Sequence, residues 1–372
     1  MKITSLSIYH FHIPFTAPMR VDKQVLDVRE GFILELRTDN GFTSYGEISP
    51  LPGLDNVSID QCQSDFSSLP DFLTGSVLHF DHFSLTRPFL GIVSLPEGKE
   101  LREWTNHTWF GVECALMGLL LQQNCIKVSF PLRIPVNGLF IPDKAAQNVN
   151  DQINKLKDQG IQTVKVKIGR MAADEEISQI RELSNLLGMG ISFRLDGNRN
   201  LMTELYRYYY DALRDLNVEY AEEPLPDGNL EKALAVPWPV ALDESLDGIL
   251  DSSEPRPSLI HPMLKTIILK PGLLAGLHAM ARCIADARCM QIKTVLSSSF
   301  NTGVTLASLG IFSRLADIPP ETAHGLDTLR YLEGDVLITS LDIMDGKLVI
   351  PKSFTCGEQI LNSSVFRKEE GL

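Results

Sequence analysis

The sequence predicts an α/β fold: a modified TIM-type (β/α)7β barrel with an α+β capping domain built from the N-terminal region and the C-terminal tail. Three observations carry that expectation. Past Pro131 and Pro135, strand-like and helix-like segments alternate, which requires parallel strands joined by crossover helices. The repeats are nearly even in length and lack a Gly-rich nucleotide loop, which favours a closed barrel over an open doubly wound sheet. Before residue 125 and after residue 330 the pattern changes to short strands with tight turns.

Residues 1–125 are expected to form the first part of the capping domain, 126–330 the barrel, and 331–372 a tail returning to the cap. Within the cap, 32–38 and 42–48 read as strands flanking Asp39-Asn40-Gly41, where Asn and Gly tolerate positive φ. The run 45–53 ends in a constrained loop, because Pro50 and Pro52 cannot continue a ladder. From 106 to 123, apolar residues at 109, 112, 116, 119 and 120 follow helical spacing, on a helix expected to pack against the barrel. Barrel strands are expected at 136–140, 163–168, 191–196, 218–222, 240–243, 266–270 and 291–297. Helices are expected at 174–187 and 203–216, the first opening with acidic residues that suit a helix N-terminus. In the tail, 336–343 and 347–350 flank Asp345-Gly346 as a hairpin.

A net charge of −13, with 44% hydrophobic and 22% charged residues, describes a soluble globular chain that folds without a disulfide or metal staple. Such a charge repels phosphate backbones, so no nucleic-acid partner is expected. His10, His12 and Pro14 interrupt the apolar start, and no apolar run approaches the roughly 18 residues of a membrane span. The six cysteines form no C-x-x-C pair. They suggest a reduced cytoplasmic protein with thiols mostly buried as small hydrophobes.

The chemistry is carried by charged residues at the strand ends. Lys165 and Lys167 share one strand; Asp196, Glu222, Asp243, Lys270 and Ser297 end the following ones, at intervals of 29, 26, 21, 27 and 27 residues from Lys167. Each interval is about one βα unit, so all these groups fall at the carboxyl ends of the strands, where barrel active sites are built. Converging carboxylates repel one another unless a cation sits among them, and an all-oxygen cluster favours Mg²⁺. A lysine beside a divalent cation is driven toward the neutral amine and can act as a base. The pattern therefore suits removal of a proton next to a carboxylate, with a small-molecule carboxylate as the binding partner.

Singly, each residue has a plainer reading. A K-x-K pair is common on a solvated strand face, and an acid after a strand is commonly a helix cap. Glu222 and Glu223, like Asp243 and Glu244, cannot be told apart by spacing. Arg194 shares a face with Asp196 and either steers a substrate carboxylate or pairs structurally; Asn198 is similar. Ser297 and Ser299 offer hydroxyls at the rim but also suit an ordinary loop. His261, His278 and His324 lack zinc-ligand spacing. The tyrosines between 206 and 210 read as packing.

In order along the chain, Lys165-Val166-Lys167, Arg194-Leu195-Asp196-Gly197-Asn198, Ala221-Glu222-Glu223-Pro224, Ala241-Leu242-Asp243-Glu244-Ser245 and Leu269-Lys270-Pro271-Gly272 resemble the enolase superfamily, in its muconate-lactonizing-enzyme subgroup. Within it, Pro50-Leu51-Pro52-Gly53, Val136-Asn137-Gly138-Leu139, Ser297-Ser298-Ser299-Phe300 and His324-Gly325-Leu326-Asp327-Thr328 look like the o-succinylbenzoate synthase family. The resemblance implies Mg²⁺ on Asp196, Glu222 and Asp243, with Lys167 as the base and Lys165 assisting electrostatically. It implies Lys270 opposite them, stabilising an enediolate, in a syn-dehydration belonging to menaquinone biosynthesis. Where many relatives place a glutamate after the serine-rich stretch, this chain has Asn301, whose role the pattern leaves open. The same scaffold serves N-acyl amino acid racemases, dipeptide epimerases and muconate cycloisomerases. Substrate choice is expected to lie in the cap around residues 18–20 and 50–54. A catalytically silent scaffold would be expected to lack a base or a ligand, and none is missing.

Overall fold

The structure is a computed structural model and describes residues 1–80, 83–87, 89–94, 103–188, 190–246, 261–355 and 360–366. Three antiparallel strands open the chain, β1 (Ile3–Val21), β2 (Gln24–Thr38) and β3 (Thr43–Ile48), paired in that order. The β2–β3 turn falls on Asp39-Asn40-Gly41, with Gly41 at φ +83°. β1 and the first half of β2 go beyond the expected strands. His10, His12, Pro14 and Pro18 hide β1 in the sequence, but it is an edge strand, where proline is tolerated, and its register slips between Pro14 and Met19.

Helix α1 (Ile59–Asp65) starts from a Ser58–Gln61 capping box and is followed by α2 (Leu69–Leu73). A small ribbon of β4 (Val77–Leu78) and β5 (Val93–Ser94) precedes α3 (Asn106–Gln122), which is capped by Thr105. A Cβ at Gly46 would lie 1.8 Å from the Gly111 carbonyl oxygen, so β3 and α3 meet backbone to backbone. With further elements packed around it, α3 is buried on nearly all sides.

After β6 (Leu132–Pro135), seven parallel strands follow in sequential order: β7 (Asn137–Phe140), β8 (Thr163–Lys167), β9 (Ser192–Asp196), β10 (Val218–Glu222), β11 (Val240–Leu242), β12 (Leu264–Leu269) and β13 (Lys293–Leu296). The extended segment at His324 and Gly325 closes the ring. It bridges Val136 on one side and Ser297 on the other, with Asn137 N–H donating to the His324 carbonyl at 2.9 Å and Gly325 N–H to that of Leu296 at 2.8 Å. The connecting helices are α4 (Ala146–Asp158), α5 (Ala173–Leu187), α6 (Thr203–Leu213), α7 (Leu230–Leu234), α8 (Gly276–Cys289) and α9 (Gly303–Leu315). Tyr206 and Tyr209 of α6 are buried, with Tyr206 stacked on Trp238.

Near the end of the chain, β14 (Asp342–Met344) and β15 (Lys347–Ile350) form a hairpin whose second strand pairs with β6. On either side of the hairpin the chain touches the N-terminal sheet, Leu332 bridging Phe15 and Phe366 bridging Phe11.

Carboxylates of the N-terminal domain cap two barrel helices. Glu47, on β3, accepts from the Thr302 and Thr305 N–H groups and the Thr302 hydroxyl at the start of α9. Glu113, on α3, accepts from His278 N–H and His278 Nδ1 in the first turn of α8. Each satisfies orphan N–H donors at the positive end of a helix. Arg29, fully buried, donates to the carbonyls of Phe300, Ser49 and Pro50, joining the loop after β3 to the loop after β13.

Among the described residues no helix is long and apolar enough to cross a membrane. Cys62 and Cys114 are buried and Cys283 half-buried, but Cys125 and Cys289 are exposed. The expectation of mostly buried thiols fails at these two because both sit where a helix ends at the surface. Cys356 lies outside the described residues.

The closing segment makes a pH prediction. The His324 ring is buried and its Nδ1 accepts the Leu296 N–H at 3.0 Å, so the ring is neutral. Burial, aided by Arg194 and Arg314, pushes its pKa down to about 3 from 6.5. Below pH 6.5 the unfolded chain binds a proton that the folded chain refuses, so stability falls as pH falls. In denaturant titrations at pH 7.5 and pH 5, His324→Gln should lose about 2 kcal/mol less than the parent across that interval. Equal losses would mean that His324 is not held neutral.

Candidate active site

Strand register builds the site. Lys167 pairs with Asp196 across β8 and β9, and Asp196 with Glu222 across β9 and β10; Asp243, Lys270 and Ser297 directly follow β11, β12 and β13. Lys165, Lys167, Glu222, Asp243, Lys270 and Ser297 line one cavity of about 1110 Å³. One tier down inside the ring, Tyr220, Ala241, Ile268 and Val295 pack as a small cluster apart from the main core and form a closed floor.

Asp196, Glu222 and Asp243 are 1%, 2% and 4% exposed. Lys165 Nζ lies 2.6 Å from Asp196 Oδ2 and 2.7 Å from Glu222 Oε1. Lys167 Nζ donates to Asp196 Oδ2 at 2.7 Å and to Asn198 Oδ1 at 2.8 Å, and Lys270 Nζ donates to Asp243 Oδ2. Burial pushes Glu222 up, with Lys165 opposing and Asp196 and Asp243 adding to the rise. Burial likewise raises Asp243 against the pull of Lys270. At Asp196 burial acts in the same sense, but Lys165 and Lys167 outweigh it and hold the carboxyl well below its usual range.

For Lys165 and Lys270 burial disfavours the charge, yet the neighbouring carboxylates prevail and push both pKa values up. The expected drift toward a neutral amine presupposed a metal cation among the carboxylates. With side chains alone, these two lysines supply the positive charge themselves.

Geometry separates Glu222 from Glu223, whereas Asp243 and Glu244 both face the cavity. Glu223 turns away from the cavity: its Oε1 accepts the N–H groups of Asp243 at 2.8 Å and Ser245 at 2.9 Å, and its Oε2 accepts the Ser245 hydroxyl at 2.7 Å. It fixes the loop that carries Asp243. Glu244 begins a 3-10 turn and lines the cavity as a further carboxylate, its pKa raised by burial against Lys270. Spacing left Glu244 as the alternative to Asp243, and both reach the cavity because the chain leaves its strand there.

Arg194 is corrected. It does face into the ring, but one tier below Asp196, where it is buried and does not line the cavity. Its guanidinium donates to Glu219, Asn137 and the Ala323 carbonyl and lies over the Tyr220 ring, so it ties β9 to β7, β10 and the closing segment. Asn198 lines the cavity and holds Lys167. Ser297 and Ser299 also line it, together with Ser298. Asn301 is structural: its Oδ1 accepts the Ser299 N–H and its Nδ2 donates to Ser49 and Glu47.

The capping domain supplies the cavity's other lining. Met19, Arg20 and Lys23 come from the β1–β2 end, and Leu51, Gly53 and Leu54 from the loop after β3. His107, at the start of α3, lies 3.2 Å from Asp55 and packs against Gly272, where a Cβ would sit 2.1 Å from the imidazole ring. Gly272, at φ +80°, lets the turn after Lys270 approach this ring. A single histidine on a predicted helix gave no sign of this contact.

The chain belongs to the enolase superfamily: the family described as Enolase C-terminal domain-like matches residues 148–357. The family described as MenC, N-terminal domain, matches residues 3–76. The o-succinylbenzoate synthase of Pasteurella multocida is 25% identical over 344 residues, spanning 90% of this chain and 92% of that protein. The chloroplastic protein PHYLLO of Arabidopsis thaliana is also 25% identical, over 350 residues; these are 85% of this chain but 20% of that much longer protein. A dipeptide epimerase from Methylococcus capsulatus, complexed with Mg and a dipeptide, shares the fold. Its TM-score is 0.72 at 18% identity, over 94% of this chain and 97% of that one.

The donor set fits a hard divalent cation. Asp196, Glu222 and Asp243 bring only oxygen ligands from three neighbouring strand ends, each buried, and at Glu222 burial, with Asp196 and Asp243 adding to it, raises the pKa. Calorimetric titration with Mg²⁺ tests the ligand choice. Glu222→Gln should weaken binding beyond the roughly 100-fold that bounds losses from outer groups, whereas Glu223→Gln should stay within it. Equal losses would contradict the assignment.

Proposed function

We propose that this chain is an o-succinylbenzoate synthase, a cytoplasmic lyase that dehydrates 2-succinyl-6-hydroxy-2,4-cyclohexadiene-1-carboxylate to o-succinylbenzoate for menaquinone biosynthesis. The observation that carries the reading is the opposition of Lys167 and Lys270. They end β8 and β12, four strands apart in a ring of seven strands plus the closing segment, with three buried carboxylates between them. Support for the particular substrate comes from the match of residues 3–76 to a MenC N-terminal domain and from relatives named for this activity over most of the chain.

In this reading Mg²⁺ on Asp196, Glu222 and Asp243 supplies positive charge for the substrate carboxylate. Lys167 Nζ takes the proton from the carbon bearing that carboxylate, and the C–H electron pair moves into an enediolate. Asn198 and Asp196 hold Lys167 in place for this step. Lys270 stays charged, as its contact with Asp243 favours, and faces the developing negative charge from the other side of the ring. Collapse of the enediolate then breaks the C–O bond. The departing hydroxide takes the proton back from Lys167 and leaves as water, so proton and hydroxyl depart from one face of the ring. Arg20 and Lys23 at the cavity mouth and the serines from 297 to 299 provide groups for the succinyl carboxylate.

The same opposed lysines suit 1,1-proton transfer, the chemistry of a racemase or epimerase, so the assay must separate the two. Ultraviolet absorbance of the cyclohexadiene is followed with purified protein, with and without Mg²⁺. Metal-dependent aromatisation is expected, and Lys167→Ala should abolish it. A folded, Mg²⁺-loaded protein that leaves the diene intact but racemises N-acyl amino acids would overturn the dehydration and keep the scaffold.

A further inference from the structure

A second cluster of ligating groups lies in the N-terminal sheet, and none of its members lines the catalytic cavity. His10 and His12 are two residues apart on β1 and so share a face, while β1–β2 register sets Glu30 opposite His12 and Phe32 opposite His10. Both imidazoles address one atom: His10 Nε2 and His12 Nε2 each lie 2.8 Å from Glu30 Oε1. The rings are 4.3 Å apart, and His10 stacks on the buried ring of Phe32 at 4.5 Å, which fixes its plane.

We propose that His10, His12 and Glu30 form a binding site for a divalent transition-metal ion such as Zn²⁺, separate from the Mg²⁺ site of the barrel. A tetrahedral ion with arms of about 2.1 Å holds neighbouring ligand atoms about 3.4 Å apart. One ligand atom from each of the three residues lies within 4.8 Å of the others, and the N···O pairs at 2.8 Å need only a slight opening to admit the ion. Glu30 can provide that opening, since its side chain is 38% exposed whereas those of His10 and His12 are 12% and 17% exposed. Two imidazoles and one carboxylate select Zn²⁺ and its neighbours over Mg²⁺, which prefers oxygen donors. Each neutral imidazole turns its Nε2 lone pair to the ion and carries its proton on Nδ1. With three protein ligands the ion keeps an open position for water, and it cross-links β1 and β2.

The test uses the full chain, stripped of metal and then saturated with Mg²⁺ to fill the carboxylate site, and titrated with Zn²⁺ by calorimetry. One equivalent of Zn²⁺ should bind and raise the melting temperature. His12→Gln and Glu30→Gln should each weaken that binding by tenfold or more while leaving Mg²⁺ binding unchanged. Co²⁺ in place of Zn²⁺ should give a visible absorption band that is lost in His12→Gln. If the parent takes up no more Zn²⁺ than His12→Gln, and Co²⁺ gives no band that depends on His12, the cluster is a hydrogen-bonded trio only and the proposal fails.

Discussion

Buried carboxylates inside a barrel must be matched by positive charge, and the site follows from that requirement. Each ion taken out of water costs several kcal/mol unless a partner offsets it. Asp196, Glu222 and Asp243 meet the condition through Lys165, Lys167 and Lys270, which the register of the parallel strands delivers to the same rim. Glu223 meets it differently, by accepting hydrogen bonds from the 243–245 backbone. Under the proposed function the charge balance does two jobs, since the groups that make the rim tolerable to bury are those that a proton-abstraction reaction requires.

The two parts of the chain divide the remaining work. The barrel carries the charged ring, and the N-terminal domain covers it with residues around 19–23 and 51–57. Their joint is polar where it matters most. Glu47 and Glu113 cap α9 and α8, and Arg29 crosses between the loops after β3 and β13. These contacts depend on direction, so they set how the cap sits over the cavity rather than merely holding it there. His107 extends the same joint to the turn after Lys270.

Much of this was legible in the sequence, for an identifiable reason. A charge at the end of an apolar strand is conspicuous, and its recurrence at one βα interval locates the barrel strands and their rim together. The seven strands fall close to their expected bounds, and the ring residues meet as their spacing implied. Arg194 shows the limit of that reasoning: period two places it on the inward face but does not say which tier it occupies. The closing segment at 324–325 is too short to show alternation, and β1 was concealed by prolines that only an edge strand admits. His107 acts through a domain contact, which no local pattern records, and spacing could not choose between Asp243 and Glu244 because the chain turns there.

The central claim is that this ring exists to remove a proton next to a carboxylate. Single-turnover rates with Mg²⁺, for the cyclohexadiene carrying hydrogen or deuterium at the carbon that bears its ring carboxylate, test it most directly. The account predicts that the deuterated substrate reacts several-fold more slowly. Equal rates, in a regime where the chemical step is observed, would contradict it.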